Sequence, residues 1–115
     1  MVWLRGVLTV MMLIPPLTGW AGQQATAEQI AAGAKVYAAQ KCMICHSVAG
    51  TGNKKLPLDG VGTKLSAEQI REWIVDPMTA AKKVNSTVKP VMKASKLAPA
   101  DLDALVAYMK SLVKK

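Results

Sequence analysis

With 115 residues, the chain has room for one compact domain and no more. Aromatic residues make up only 4% and Phe is absent, so the core would be thin unless something large and apolar completes it. A net charge of +8 points to acidic partners or anionic surfaces.

The first element in chain order reads as a leader and not as part of the fold. Met1–Arg5 is a short basic start, and Gly6–Ile14 is an apolar run that loosens through Pro15-Pro16 toward Gly19. Gly19 and Ala21 have the small-residue spacing that a signal peptidase reads, so residues 1–21 are expected to be a cleaved signal peptide and residues 22–115 the mature domain. Ala27, preceded by Ala25, is the alternative cleavage point. An uncleaved anchor is the rival reading, but the run falls short of the ~20 apolar residues that span a bilayer, and two prolines interrupt it. Export predicts a periplasmic location and excludes nucleic acid as a natural partner.

Three helices follow. Thr26, with Gln29 three residues on, predicts a helix over residues 27–40 whose buried face holds Ile30, Gly33, Ala34 and Tyr37. Ser66 with Gln69 opens a second over residues 67–75, with Ile70, Trp73 and Ile74 inward and Asp76-Pro77 as its stop. Pro99 opens a third over residues 99–113. Asp101 and Asp103 lie near its positive end, and Leu102, Leu105, Val106, Met109, Leu112 and Val113 form its buried stripe. No stretch alternates like a strand, so the fold class is all-α. The long connections, residues 47–65 and 77–98, need a functional reason in so small a domain.

The chemistry is carried by Cys42-Met43-Ile44-Cys45-His46, a C-x-x-C-H haem-attachment pattern. Two thiols at this spacing match the two vinyl groups on one porphyrin edge, and the following histidine then lies under the ring centre as an iron ligand. A disulfide between such near neighbours would close almost no loop. A thioredoxin-type site would need a βαβ context, and a zinc site would need four ligands where the chain offers two cysteines and a single histidine. The expected cofactor is therefore one haem c, bound through Cys42 and Cys45 with His46 on the iron. Wrapping it accounts for the long loops.

With that motif, with Gly33 and Tyr37 as a Gly-x-x-x-aromatic pair in the first helix, and with Leu102, Leu105, Val106 and Tyr108 in the last, the chain resembles the small class I cytochromes c of bacterial periplasms. The resemblance covers nearly all of the mature chain. It implies a fold of about three main helices and long loops around one haem, with the first and last helices crossing at Gly33. It also implies a methionine as sixth iron ligand in the loop before the last helix. Met92 occupies that place and Met78 is its rival; Met43 sits between the cysteines, and Met109 lies on the buried stripe. Lys93 follows Met92 where family members often carry proline. Pro57 matches the proline whose carbonyl accepts from the proximal imidazole, with loop stiffening as the plainer reading. Trp73 either fills core or lines the pocket near a haem propionate.

Loss of Arg5 with the leader leaves 14 of the 15 basic residues against 7 acidic ones. Lys82, Lys83, Lys89, Lys93 and Lys96 surround the ligand loop, either as a docking ring for acidic redox proteins or as a solvated face. Peripheral association with an anionic membrane is compatible with the same charge, and a monomer is expected. The main functional expectation is a soluble electron carrier, not an enzyme, with a closed His/Met iron. The alternatives are an open-site haem protein with ligand-binding or peroxidatic chemistry, and a small subunit of a larger oxidoreductase.

Overall fold

The structure is a computed structural model that describes residues 25–114; the expected signal peptide lies outside the described residues. The element order is α1 (Ala27–Ala39), a 3₁₀ turn (Cys42–Ile44), β1 (Ser47–Val48), β2 (Thr51–Gly52), α2 (Val61–Lys64), α3 (Ala67–Val75), α4 (Pro77–Lys83) and α5 (Pro99–Ser111). The all-α expectation holds, with one minimal hairpin added. Its strands are antiparallel, pairing Ser47 with Gly52 and Val48 with Thr51. Ala49 and Gly50 turn the corner with φ of 49° and 81°, the positive values that a tight two-residue hairpin needs. Asp59 Oδ1 accepts from the Ala49 N–H at 2.8 Å and holds this non-glycine residue in place.

The helix starts follow the capping chemistry of the sequence. The Thr26 side chain accepts from the Gln29 N–H, and Ser66 with Gln69 forms a reciprocal capping box at 3.1 and 2.9 Å. The core is small: Tyr37, Ile70, Ile74, Leu105, Val106 and Met109, contributed by α1, α3 and α5. α1 and α5 cross at Gly33. A Cβ there would run into the Ala104 carbonyl and come to 2.6 Å from Tyr108 Cβ, so only glycine permits this approach. Beside the crossing, the Tyr37 and Tyr108 rings meet edge to face with centroids 5.6 Å apart. Arg71 ties α3 to α5 through Asp103 at 2.6 Å, an exposed pair that orients more than it stabilises.

Two expectations need correction. Asp76-Pro77 ends α3 but also begins α4: Asp76 caps the Thr79 N–H, and Pro77 occupies the first helical position, where its missing donor costs nothing. The 77–98 connection is thus partly helical. Val113 is 57% exposed and off the buried stripe, because α5 ends at Ser111 and the Leu112 carbonyl accepts instead from the Gly62 N–H at 2.9 Å.

Candidate haem site

The attachment motif sits where α1 gives way to irregular chain. Lys41, at φ 56°, breaks the helix and turns the backbone into the 3₁₀ turn that carries Cys42. The Cys42 carbonyl then accepts from both the Cys45 and His46 N–H groups, at 3.2 and 3.0 Å. This fold-back brings both thiols and the imidazole to one wall. The thiols are not joined to each other; Cys42 is half-buried and Cys45 exposed. Burial pushes the Cys42 thiol above its ordinary value, against a smaller opposing pull from a backbone hydrogen bond, and nearby Cys45 pushes the same way as burial. At neutral pH the Cys42 sulfur therefore keeps its hydrogen.

His46 is fixed by its ring. Nδ1 lies 3.0 Å from the Leu56 carbonyl oxygen. A carbonyl can only accept, so Nδ1 carries the proton and the Nε2 lone pair is left for a metal. The expected acceptor was Pro57, and the structure moves that role back one residue. Ser47 pairs with Pro57 in a parallel bridge, in which the Leu56 carbonyl accepts from the Ser47 N–H at 3.4 Å and the Leu58 N–H donates to the Ser47 carbonyl at 2.8 Å. Successive residues of an extended strand point their polar groups to opposite sides. Leu56 and Leu58 therefore face Ser47 and His46, while the Pro57 carbonyl faces away. Proline suits position 57 because no donor is needed there.

Cys42, Cys45 and His46 open on a cavity of about 480 Å³. Its apolar wall includes Leu58, Leu65, Ile70, Trp73, Ile74 and Leu105, and the loop between α4 and α5 closes it with Val88 to Met92. Met92 is half-buried on this wall; Met109 lines it from the core, while Met78 is 54% exposed and off the wall. Trp73 is half-buried and lines the cavity without joining the core cluster, so of its two readings the structure favours the pocket. Pro57 does not line it.

The residues fit haem. Two thiols and an Nε2 donor converge on an apolar cavity, and Lys55 and Lys89 supply positive charge on its wall. Tyr37, also on the wall, buries its hydroxyl with no hydrogen-bond partner among the described residues. An unpaired buried donor is costly, and its position suits a wall that a bound group completes. In such a site Cys42 and Cys45 would hold the ring edge through thioethers, and His46 would take one face of the iron. Lys55 and Lys89 would face the carboxylates. Lys55, Lys89, the Tyr37 hydroxyl and the Leu56 carbonyl carry no sequence motif; only the folded loops bring them together.

The class defined by this fold and site is the helical protein that attaches haem through a C-x-x-C-H turn. Residues 30–113 match the sequence profile of the family described as Cytochrome c, and the chain belongs to that family. No curated protein and no solved structure gave a significant match. Its cofactor is covalently attached haem c, and it is a haem-binding electron-transfer protein of the small class I c-type kind.

Proposed function

We propose that the chain is exported to the bacterial periplasm as a soluble carrier that passes single electrons between protein partners, with iron closed by His46 and Met92. The observation that carries this reading is that His46 and Met92 line the same apolar cavity, while Met78 stands outside it. Bound there, the haem supplies a one-electron iron couple, and the chain's own residues set its environment. His46, its Nδ1–H held by the Leu56 carbonyl, is an oriented and strengthened nitrogen donor. The Met92 thioether is a soft donor that favours ferrous iron, and the apolar wall disfavours the extra charge of the ferric state, so the potential should be positive. Held by both His46 and Met92, the iron would offer electron exchange and not substrate chemistry.

Export rests on the basic and apolar pattern of residues 1–21. The partners are expected to be redox proteins with acidic docking surfaces, recognised through the exposed lysines of the loop that holds Met92. Lys89, Lys93 and Lys96 are exposed on that loop. The deciding experiment is the visible spectrum of the oxidised holoprotein at neutral pH. Low-spin iron with the weak near-red sulfur-to-iron charge-transfer band is expected. A spectrum lacking that band, together with rapid carbon monoxide binding by the reduced protein, would overturn the carrier reading.

A further inference from the structure

The 3₁₀ turn carrying the cysteines has an accounting problem at its C-terminal end. The Cys42 carbonyl is satisfied within the motif, but those of Met43, Ile44 and His46 point out of it and need donors from elsewhere. All three are met by one residue. The Asn53 backbone N–H is shared between the Met43 and His46 carbonyls, at 3.0 Å to each, and its side-chain Nδ2 donates to the Ile44 carbonyl at 3.0 Å. The same side chain also works in the other direction, since its Oδ1 accepts from the Lys55 N–H at 3.0 Å. That short turn sends the chain toward Leu56, whose carbonyl holds the His46 imidazole. Gly52 lets Asn53 come this close: at φ 107°, a Cβ on it would strike the His46 carbonyl and lie 3.2 Å from that of Met43.

We infer that Asn53 is a positioning residue for haem attachment and for the proximal ligand. From the edge of the cavity it clamps the Cys42–His46 turn and, through Lys55, sets the position of the carbonyl that orients His46. The two sulfurs must be presented together to one porphyrin edge, and a turn with free carbonyls would sample other shapes. An amide is needed at position 53 because one side chain must donate and accept at once. Aspartate keeps the acceptor for Lys55, loses the donor to Ile44 and sets a charge against a carbonyl. Alanine loses both.

The inference rests on haem being attached at Cys42 and Cys45, and the unmutated holoprotein tests that first: its denatured mass should equal polypeptide plus one haem. Asn53→Ala and Asn53→Asp are then compared with Ser66→Ala, which removes a helix cap on α3 without touching the turn. Both Asn53 variants should show a severalfold lower fraction of doubly attached haem by denatured mass. Doubly attached Asn53→Ala should also show a raised potential, because a poorly held imidazole donates more weakly. Ser66→Ala should keep unmutated values for both readouts despite its lower melting temperature. If Asn53→Ala fails to accumulate, Asn53→Asp decides through its attached fraction. Full attachment in the Asn53 variants with an unmoved potential in Asn53→Ala, or equal losses in Ser66→Ala, would overturn the inference.

Discussion

At the scale of single residues, the cavity separates candidates that spacing alone leaves open. Met92 lines the wall and Met78 does not, so Met92→Ala should erase the near-red band, lower the potential and admit carbon monoxide. Met78→Ala should leave all three unchanged, as spectra of the two purified holoproteins would show. A band lost in Met78→Ala instead would move the ligand while leaving the carrier reading intact. Position 57 gives a second test. Because the acceptor for His46 is the backbone of Leu56, Pro57→Ala should leave the potential in place. Its stability should fall by only about 0.4–1 kcal/mol, through the freer unfolded chain. The attachment motif was legible in the sequence because its chemistry lies in five consecutive residues. The acceptor was not, because the side a carbonyl faces depends on pairing between Ser47 and Pro57, ten residues apart, and no local pattern encodes that pairing.

At the scale of elements, legibility followed capping and failed where one signal had two meanings. The bounds of α3 agree with expectation at both ends because Ser66 and Gln69 fix the start and Asp76 the end. The same Asp76-Pro77 pair opens α4, because an aspartate cap with proline at the first helical position is a start signal as well as a stop, and the stop alone accounts for the end of α3. Asp76 also gives α4 a pH dependence. The Thr79 hydroxyl and then its N–H, with lesser help from Lys82 and Lys83, hold the Asp76 carboxyl below its ordinary 3.8. A carboxyl lowered in the folded state stabilises the fold above its unfolded value, and the contribution fades as pH falls through the folded one. Asp76→Asn can still cap Thr79 but cannot ionise. The unmutated protein should therefore be the more stable near pH 7, with the difference shrinking below about pH 4, as denaturant midpoints across that range would show. The α1–α5 crossing is less forgiving. Gly33→Ala places a methyl against the Ala104 backbone, which cannot move aside as a side-chain tip can, and should cost about 2 kcal/mol or more in denaturant unfolding.

At the scale of the whole molecule, the scarcity of aromatic residues and the length of the loops share one cause. Among the described residues, a central cluster of six buried side chains beside a cavity of about 480 Å³ is a shell built for something the chain does not encode. The charges are distributed around that shell unevenly. Lys83 bonds Glu72 at 2.6 Å, and Lys110 donates to the Gly62 and Leu65 carbonyls at 2.7 and 3.1 Å, so both are engaged within the fold. Lys83 thus leaves the ring read from the sequence, a loss visible only once α3 and α4 are packed together. Lys83 is exposed too, but Lys82, Lys89, Lys93 and Lys96 are exposed with no ion-pair partner among the described residues, the last three on the loop that covers the cavity beside Met92. A positive field there would steer an acidic partner toward the covered cavity, and would act on encounter more than on the lifetime of the complex. Neutralising Lys89, Lys93 and Lys96 together should slow association with an acidic redox protein severalfold at low salt and change dissociation little. The contrast should vanish above about 0.1 M salt, where screening shortens the field to about 10 Å. Stopped-flow electron transfer across a salt series measures both effects. Glu72→Gln should release Lys83 and speed the low-salt encounter slightly, whereas a rate indifferent to salt and to all four substitutions would leave the lysines as solvation alone.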